Sequence, residues 1–207
     1  MTTILLIRHG ENTFVGEGKL AGWLPGVHLN ERGKIQAAAL AEALKPIKLR
    51  AVYASPLERA VETATPLAAS KSLQVVVREG LGEIHYGRWQ GRSIKALQKR
   101  KLWSVVQMIP SLARFPDGES FSEAQARIVA ELEALRALHH TQKSVIACVF
   151  HSDPIKLAIA HYIGLPLDLF QRLTVEPASI SVLHIDKRHT RLISLNDTRA
   201  TIAGLRG

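Results

Sequence analysis

Ile4-Leu5-Leu6-Ile7-Arg8-His9-Gly10-Glu11 decides how the rest of the chain is read. Four consecutive branched aliphatics at strand length describe a buried β-strand. The run stops at a cation, an imidazole and a glycine, so Arg8 and His9 emerge at the strand's carboxyl end, where open α/β sheets bind ligands. Outward from this strand, helix-like and strand-like segments alternate. A glycine-rich loop leads to a helix over 31–44 with Asn30 as its cap, then a strand over 51–54, a helix over 56–69 with Pro56 in its first turn, and a short strand over 74–77. A helix follows over 94–108, and a second over 120–140, opened by the capping-box pair Ser120 and Glu123. The chain closes with a strand over 144–150, helices over 154–163 and 167–173, and a hairpin of strands over 180–185 and 190–194. The pattern predicts an α/β fold, a three-layer sandwich with a mainly parallel central sheet flanked by helices.

Composition fits that expectation and narrows the function classes. With 207 residues, 46% hydrophobic and 22% charged, the chain suits a single domain over 1–207 with a helical insertion at about 92–140. No apolar stretch reaches the ~20 residues of a membrane span, and the start of the sequence has no secretory pattern. The lone Cys148 cannot form an internal disulfide, so a cytoplasmic protein is expected. The 27 Lys and Arg against 18 Asp and Glu give a net charge of +9, which favours an anionic partner. The cations are scattered over helical segments and only 5% of residues are aromatic, so no nucleic-acid partner is expected. Oligomeric state stays open between a monomer and a homodimer.

Two further strand ends join Arg8 and His9. Ser55-Pro56-Leu57-Glu58-Arg59-Ala60 follows the second strand and puts Arg59 in the first turn of its helix. Phe150-His151-Ser152-Asp153-Pro154 follows the strand over 144–150, with Asp153 expected as the helix cap and Pro154 as the first helical residue. Two arginines, two histidines and a helix amino terminus therefore converge. Guanidinium forks and helix N–H groups hold phosphoryl oxygens, and a histidine can attack phosphorus.

The ordered blocks Arg8-His9-Gly10-Glu11, Gly22-Trp23, Leu29-Asn30-Glu31-Arg32-Gly33, Ser55-Pro56-Leu57-Glu58-Arg59-Ala60-Val61-Glu62-Thr63-Ala64, Leu81-Gly82-Glu83-Ile84, Tyr86-Gly87-Arg88-Trp89-Gln90-Gly91, Pro116-Asp117-Gly118-Glu119-Ser120 and His151 resemble the phosphoglycerate-mutase-like branch of the histidine phosphatase superfamily. The resemblance implies a phosphomonoester hydrolase acting on a phosphorylated small molecule through a phosphohistidine. It implies His9 as nucleophile, Arg8, Arg59 and His151 as phosphate ligands, and Glu83 as proton donor and later general base. No metal and no cofactor are implied. The alternatives are a phosphoglycerate-type mutase and a catalytically weak phospho-ligand-binding regulator.

The chain departs from the family pattern at several points. Val15 and Ala21 stand where many relatives carry asparagine and a small hydroxyl, and the segment between Gly91 and Pro116 is shorter than in the mutases and lacks their paired arginines. Hydrolysis is therefore expected over mutation. Ser152-Asp153-Pro154 replaces the usual glycines, and Asp153 either caps its helix or selects a cationic group on the substrate. Gly22, His85, Trp89 and Asp153 are the candidate substrate-pocket residues; His85 reads equally as a surface-loop residue, and Trp89 as a packing residue. The glycines over 16–22 do not fit a dinucleotide loop and predict a flexible entry loop. Cys148 reads as a buried strand thiol, and the adjacent His139 and His140 face different directions on a helix, which argues against a metal site there.

Overall fold

The computed structural model describes residues 2–139, 143–186 and 189–198. Strands β1 (Thr2–Arg8), β2 (Ala51–Ala54), β3 (Val75–Val77), β4 (Ser144–Phe150), β5 (Ile180–Ile185) and β6 (Thr190–Asp197) form one sheet in the order β3-β2-β4-β1-β5-β6. The pairs β1/β4, β2/β4 and β2/β3 are parallel, and β5 runs antiparallel to both β1 and β6. Successive side chains on a strand point to opposite faces, so each central strand supplies both layers of core. Ile4, Leu6, Ile146, Cys148 and Phe150 pack on one side and Leu5, Ile7, Ala147 and Val149 on the other. This is why the opening aliphatic run has no polar alternation.

Helices cover both faces. On one side, α2 (Glu31–Ala43) and α3 (Glu58–Ala69) bury Leu40, Ala41, Ala60, Ala64 and Leu67 against the sheet. On the other, α6 (Phe121–Leu138) and α7 (Ser152–Ile163) bury Phe121, Ile128, Leu132, Ile155 and Ile159. A single turn, α1 (Thr13–Gly16), follows β1, and α4 (Ile94–Leu97) and α5 (Lys101–Met108) lie between the sheet's third strand and α6. Asn30 caps α2 and Ser120 with Glu123 forms the expected capping box of α6. Cys148 is buried in the core, and burial raises its thiol pKa. No described helix is long and apolar enough to cross a membrane.

Local details correct the sequence reading. The helix expected over 94–108 is broken at 98–100, where Arg100 is extended; a continuous helix would set the like charges of Lys95 and Lys99 four residues apart on one face. The segment 167–173 is a 3-10 turn rather than an α-helix. Pro56 precedes α3, which begins at Glu58. Asp153 does not cap α7: His151 is the extended cap residue, Ser152 starts the helix, and Pro154 falls third, still inside the first turn where its missing N–H leaves no bond unmade. His140 lies outside the described residues.

The strand order places the site. The chain leaves β1 toward β2 on one side and leaves β4 toward β5 on the other, so the reversal falls between the carboxyl ends of the adjacent strands β1 and β4. Arg8 pairs with Phe150 in register, and the His9 amide donates to the Phe150 carbonyl at 2.9 Å. His9 and His151 are thus carried side by side into the crevice where α/β sheets bind ligands.

Candidate active site

A cavity of about 230 Å³ opens at this crevice, lined by Arg8, His9, Asn12, Gly22, Arg59, Glu83, Tyr86 and Asp153 among others. Several elements supply these side chains, and His151 stands behind them, in contact with Arg59. β1 delivers Arg8, the following turn His9, the first turn of α3 Arg59, and the turn into α7 His151 and Asp153. Glu83 comes from the loop after β3, where its carbonyl accepts from Trp23 Nε1 at 2.6 Å and from Arg127 Nη2 at 3.2 Å.

The His9 ring is fixed by its Nδ1, 2.7 Å from the Gly10 carbonyl oxygen. A carbonyl accepts only, so Nδ1 carries the proton and Nε2 keeps its lone pair, which faces Arg59 Nε at 3.3 Å. Burial, and then the charges of Arg59 and Arg8, hold His9 well below the ordinary histidine range. The imidazole is neutral and its free nitrogen points into the cavity's cationic wall. Arg59, itself buried, also donates from Nη2 to the Gly22 carbonyl at 2.8 Å and lies 3.3 Å from His151 Nδ1. Ser55 Oγ, 2.8 Å from His151 Nε2, completes that ring's contacts. His151 is kept neutral by burial and by Arg59.

The carboxyl behaves oppositely. Burial first, and then the charge of Asp153, push Glu83 up to about 7 against the pull of Arg59, the Ile84 amide and Arg8. Its Oε2 lies 3.7 Å from His151 Nδ1. The cavity therefore holds a neutral imidazole and a carboxyl that is still about half protonated at pH 7.

Three buried donors that line it, Arg8 Nε, Asn12 Nδ2 and Arg59 Nη1, have no protein partner among the described residues. Buried polar groups are normally satisfied, so three such donors around one cavity mark a place for anionic oxygens.

The expected residues are brought together except His85 and Trp89. Gly22 lines the cavity, and its left-handed φ of 56° turns its carbonyl toward Arg59. His85 does not line it; the ring is exposed and stacks on Trp23 with centroids 4.4 Å apart. Trp89 is buried against Trp103 and Phe115 and borders a separate cleft. Asp153 lines the cavity, paired with Lys156 at 2.6 Å and accepting from the Tyr86 hydroxyl at 3.1 Å. Asn12, Ser55 and Tyr86 were not singled out from the sequence. For Asn12 the available signal was a polar side chain three residues beyond His9; for the other two it was their place at the head of a motif block, their roles resting on tertiary contacts. The glycine loop over 16–22 is tied to the segment after Gly91 by backbone bonds from Leu20 to the Arg92 carbonyl and from Ile94 to the Gly18 carbonyl.

Comparison with known proteins decides the family. The sequence profile of the histidine phosphatase superfamily (branch 1) matches residues 4–198. The chain belongs to the histidine phosphatase superfamily. It is 31% identical to phosphoserine phosphatase 1 of Hydrogenobacter thermophilus over 96% of this chain and 93% of that protein. It is 30% identical to a 2,3-bisphosphoglycerate-dependent phosphoglycerate mutase of Thermoplasma acidophilum, over 90% and 88% of the two chains. Among solved structures, the phosphoserine phosphatase of Entamoeba histolytica in complex with 3-phosphoglyceric acid superposes with a TM-score of 0.87 at 26% identity, covering 97% of this chain and 99% of that one. This member of the superfamily is a phosphatase of phosphorylated metabolites.

Proposed function

We propose that this histidine phosphatase cleaves small phosphomonoesters in two steps, with His9 as nucleophile and Glu83 as the group that moves the proton. His9 Nε2 attacks phosphorus while the ester P–O bond breaks and Glu83 gives its proton to the leaving oxygen, which departs as an alcohol. Glu83, now a carboxylate, takes a proton from water as the water oxygen attacks the phosphohistidine. The P–N bond breaks, inorganic phosphate leaves, and Glu83 is protonated again. Arg8, Arg59, His151 and the Asn12 amide hold the non-bridging oxygens, which suits a reaction governed by positioning and charge. Arg8 and Arg59 supply the positive potential within one domain carrying the 92–140 segment as an insertion, and the reading calls for no metal.

The observation that carries this reading is the pairing, in one cavity, of a neutral His9 with a Glu83 pushed up to about 7. A site that only binds phosphate has no use for a buried acid beside its anion. Rapid mixing with ³²P-labelled phosphomonoester and a quench that avoids acid is expected to trap an acid-labile, base-stable phosphoenzyme, absent in His9→Ala. Full labelling and turnover in that variant would place the nucleophile elsewhere. Arg59→Ala is expected to lose about 2–5 kcal/mol of transition-state binding, read from kcat/KM.

The Thermoplasma relative keeps a mutase reading in view. Against it, Val15 and Ala21 line the cavity here with apolar surface. Phosphate release is expected to outpace transfer between the carbons of a phosphoglycerate when both products are counted in one assay. A primer-dependent transfer faster than release would reverse that ranking. Phosphoserine, the substrate named for two of the relatives, heads the panel of esters to test.

A further inference from the structure

Asp153 is an unexpected neighbour for a phosphate site, because its charge opposes the substrate. The contacts around it form a continuous line. Lys156 Nζ, one turn along α7, pairs with Asp153 Oδ1 at 2.6 Å, donates to Gln171 Oε1 at 2.9 Å and sits over the Phe170 ring at 5.3 Å from its centroid. Asp153 Oδ2 accepts from the Tyr86 hydroxyl at 3.1 Å. The same hydroxyl oxygen lies 3.5 Å from Glu83 Oε1, and Tyr86 and Glu83 are both buried.

A phenol has one proton. Donated to the nearer Asp153 Oδ2, that proton leaves only the oxygen lone pairs of Tyr86 to face Glu83. A protonated Glu83 can donate into those lone pairs; an ionised one meets them as lone pair against lone pair. We propose that Lys156, Asp153 and Tyr86 form a positioning relay that holds the proton on Glu83 before phosphoryl transfer, with Lys156 paired to the Asp153 carboxylate and Asp153 orienting the Tyr86 hydroxyl. This rests on the reading of Glu83 as proton donor. The relay also assists the return half of the reaction. Once Glu83 has given up its proton, the Asp153 carboxylate and the misdirected phenol oxygen favour its taking one from water.

The other charged groups facing Glu83 pull the opposite way or are spent elsewhere. Arg8 from β1 and Arg59 from α3 favour the carboxylate, His9 and His151 are neutral, and Arg127 from α6 reaches the Glu83 carbonyl while pairing with Glu119 at 2.6 Å. Among the described residues lining the cavity, Asp153 is the one carboxyl besides Glu83.

The test is a direct titration of Glu83 by carboxyl ¹³C NMR in the full-length enzyme, assigned with Glu83→Gln. It is run in the wild type, in Asp153→Asn and in the double variant Asp153→Asn/Lys156→Met, which leaves no buried ammonium unpaired. The midpoint is expected to fall by about one pH unit in both variants, as on removal of a nearby like charge. The alkaline limb of activity on an alkyl phosphate is expected to move down with it, and to be missing in Glu83→Gln. A midpoint that stays put in both variants overturns the relay. A midpoint that falls while the alkaline limb survives in Glu83→Gln upholds the relay and overturns Glu83 as donor, so the two failures are told apart.

Discussion

Glu83 works against the stability of the fold that holds it. A carboxyl raised from 4.5 to about 7 is one whose ionised form the native state disfavours. Between those two pH values the native state binds more protons than the unfolded chain, so stability falls as pH rises through that window and levels off above it. At about 1.4 kcal/mol per pH unit, the loss above pH 7 is about 3 kcal/mol. His9 and His151 act in the other direction: both are held well below 6.5, so stability falls as pH drops below the unfolded histidine value. Glu83→Gln is therefore expected to lose turnover of alkyl phosphates yet melt higher than the wild type, by a margin that is small at pH 5 and opens by pH 8. A margin independent of pH would mean that Glu83 ionises freely in the folded protein. At this scale the sequence was most informative about side chains whose identity is itself the signal. Arg8, His9, Arg59, Glu83 and His151 stand at strand ends or in a recognisable block, and all five meet in the structure. Asn12 was silent, and Ser55 and Tyr86, though each opens a recognisable block, gave no sign of their roles, because what marks these residues is an unmet buried donor or a partner up to 96 residues away, and neither leaves a pattern along the chain.

At the scale of elements, the turn after β1 holds His9 only because α2 comes unusually close to it. Asn30 Nδ2 donates to Glu11 Oε1 at 3.0 Å, the Asn30 amide donates to the Glu11 carbonyl at 3.1 Å, and the Glu11 amide donates to Gln36 Oε1 at 2.8 Å. Gly33 sits where these backbones meet, and a Cβ there would be driven into the Glu11 carbonyl oxygen. The Leu29-Asn30-Glu31-Arg32-Gly33 block was legible as a motif, but its reason, a backbone-to-backbone approach between a turn and a helix, appears only in three dimensions. Gly33→Ala is expected to destabilise the protein by about 1–3 kcal/mol through overpacking and to lower kcat/KM by displacing Gly10 and with it His9. Unchanged melting and unchanged kcat/KM would mean that α2 can retreat without disturbing the nucleophile. The elements misread from the sequence share a cause. The break between α4 and α5 and the early start of α7 depend on cap geometry at Arg100 and His151, residues with no capping side-chain bond, so the cap positions themselves carry no sequence signal even where the like pair Lys95 and Lys99 weakens a continuous helix.

At the scale of the whole molecule, part of the positive charge that looks dispersed along the sequence is concentrated in one segment, and Ile94 of that segment lines the catalytic cavity. Residues 88–101 carry Arg88, Arg92, Lys95, Lys99, Arg100 and Lys101 and no acid. Arg88, Arg92, Arg100 and Lys101 line a cleft of about 370 Å³, and Arg88 is tied to Asp117 at 2.9 Å. Ile94 in the middle of the same segment lines the catalytic cavity, so this short stretch borders the site while carrying five cations besides the Asp117-paired Arg88. A phosphomonoester dianion approaching the mouth would feel this field over roughly a Debye length, about 8–10 Å at physiological salt. Capture, not chemistry, is the step such a field accelerates, because Arg8 and Arg59 inside the cavity act on the bound phosphate whatever the ionic strength outside. kcat/KM is therefore expected to fall as salt is raised from about 20 mM to 0.5 M while kcat changes little. Replacing Arg92, Lys95 and Arg100 together by glutamine should flatten that salt dependence and lower kcat/KM at low salt toward the high-salt wild-type value. A triple variant that keeps the wild-type salt slope would confine the electrostatics of substrate capture to the two arginines at the strand ends.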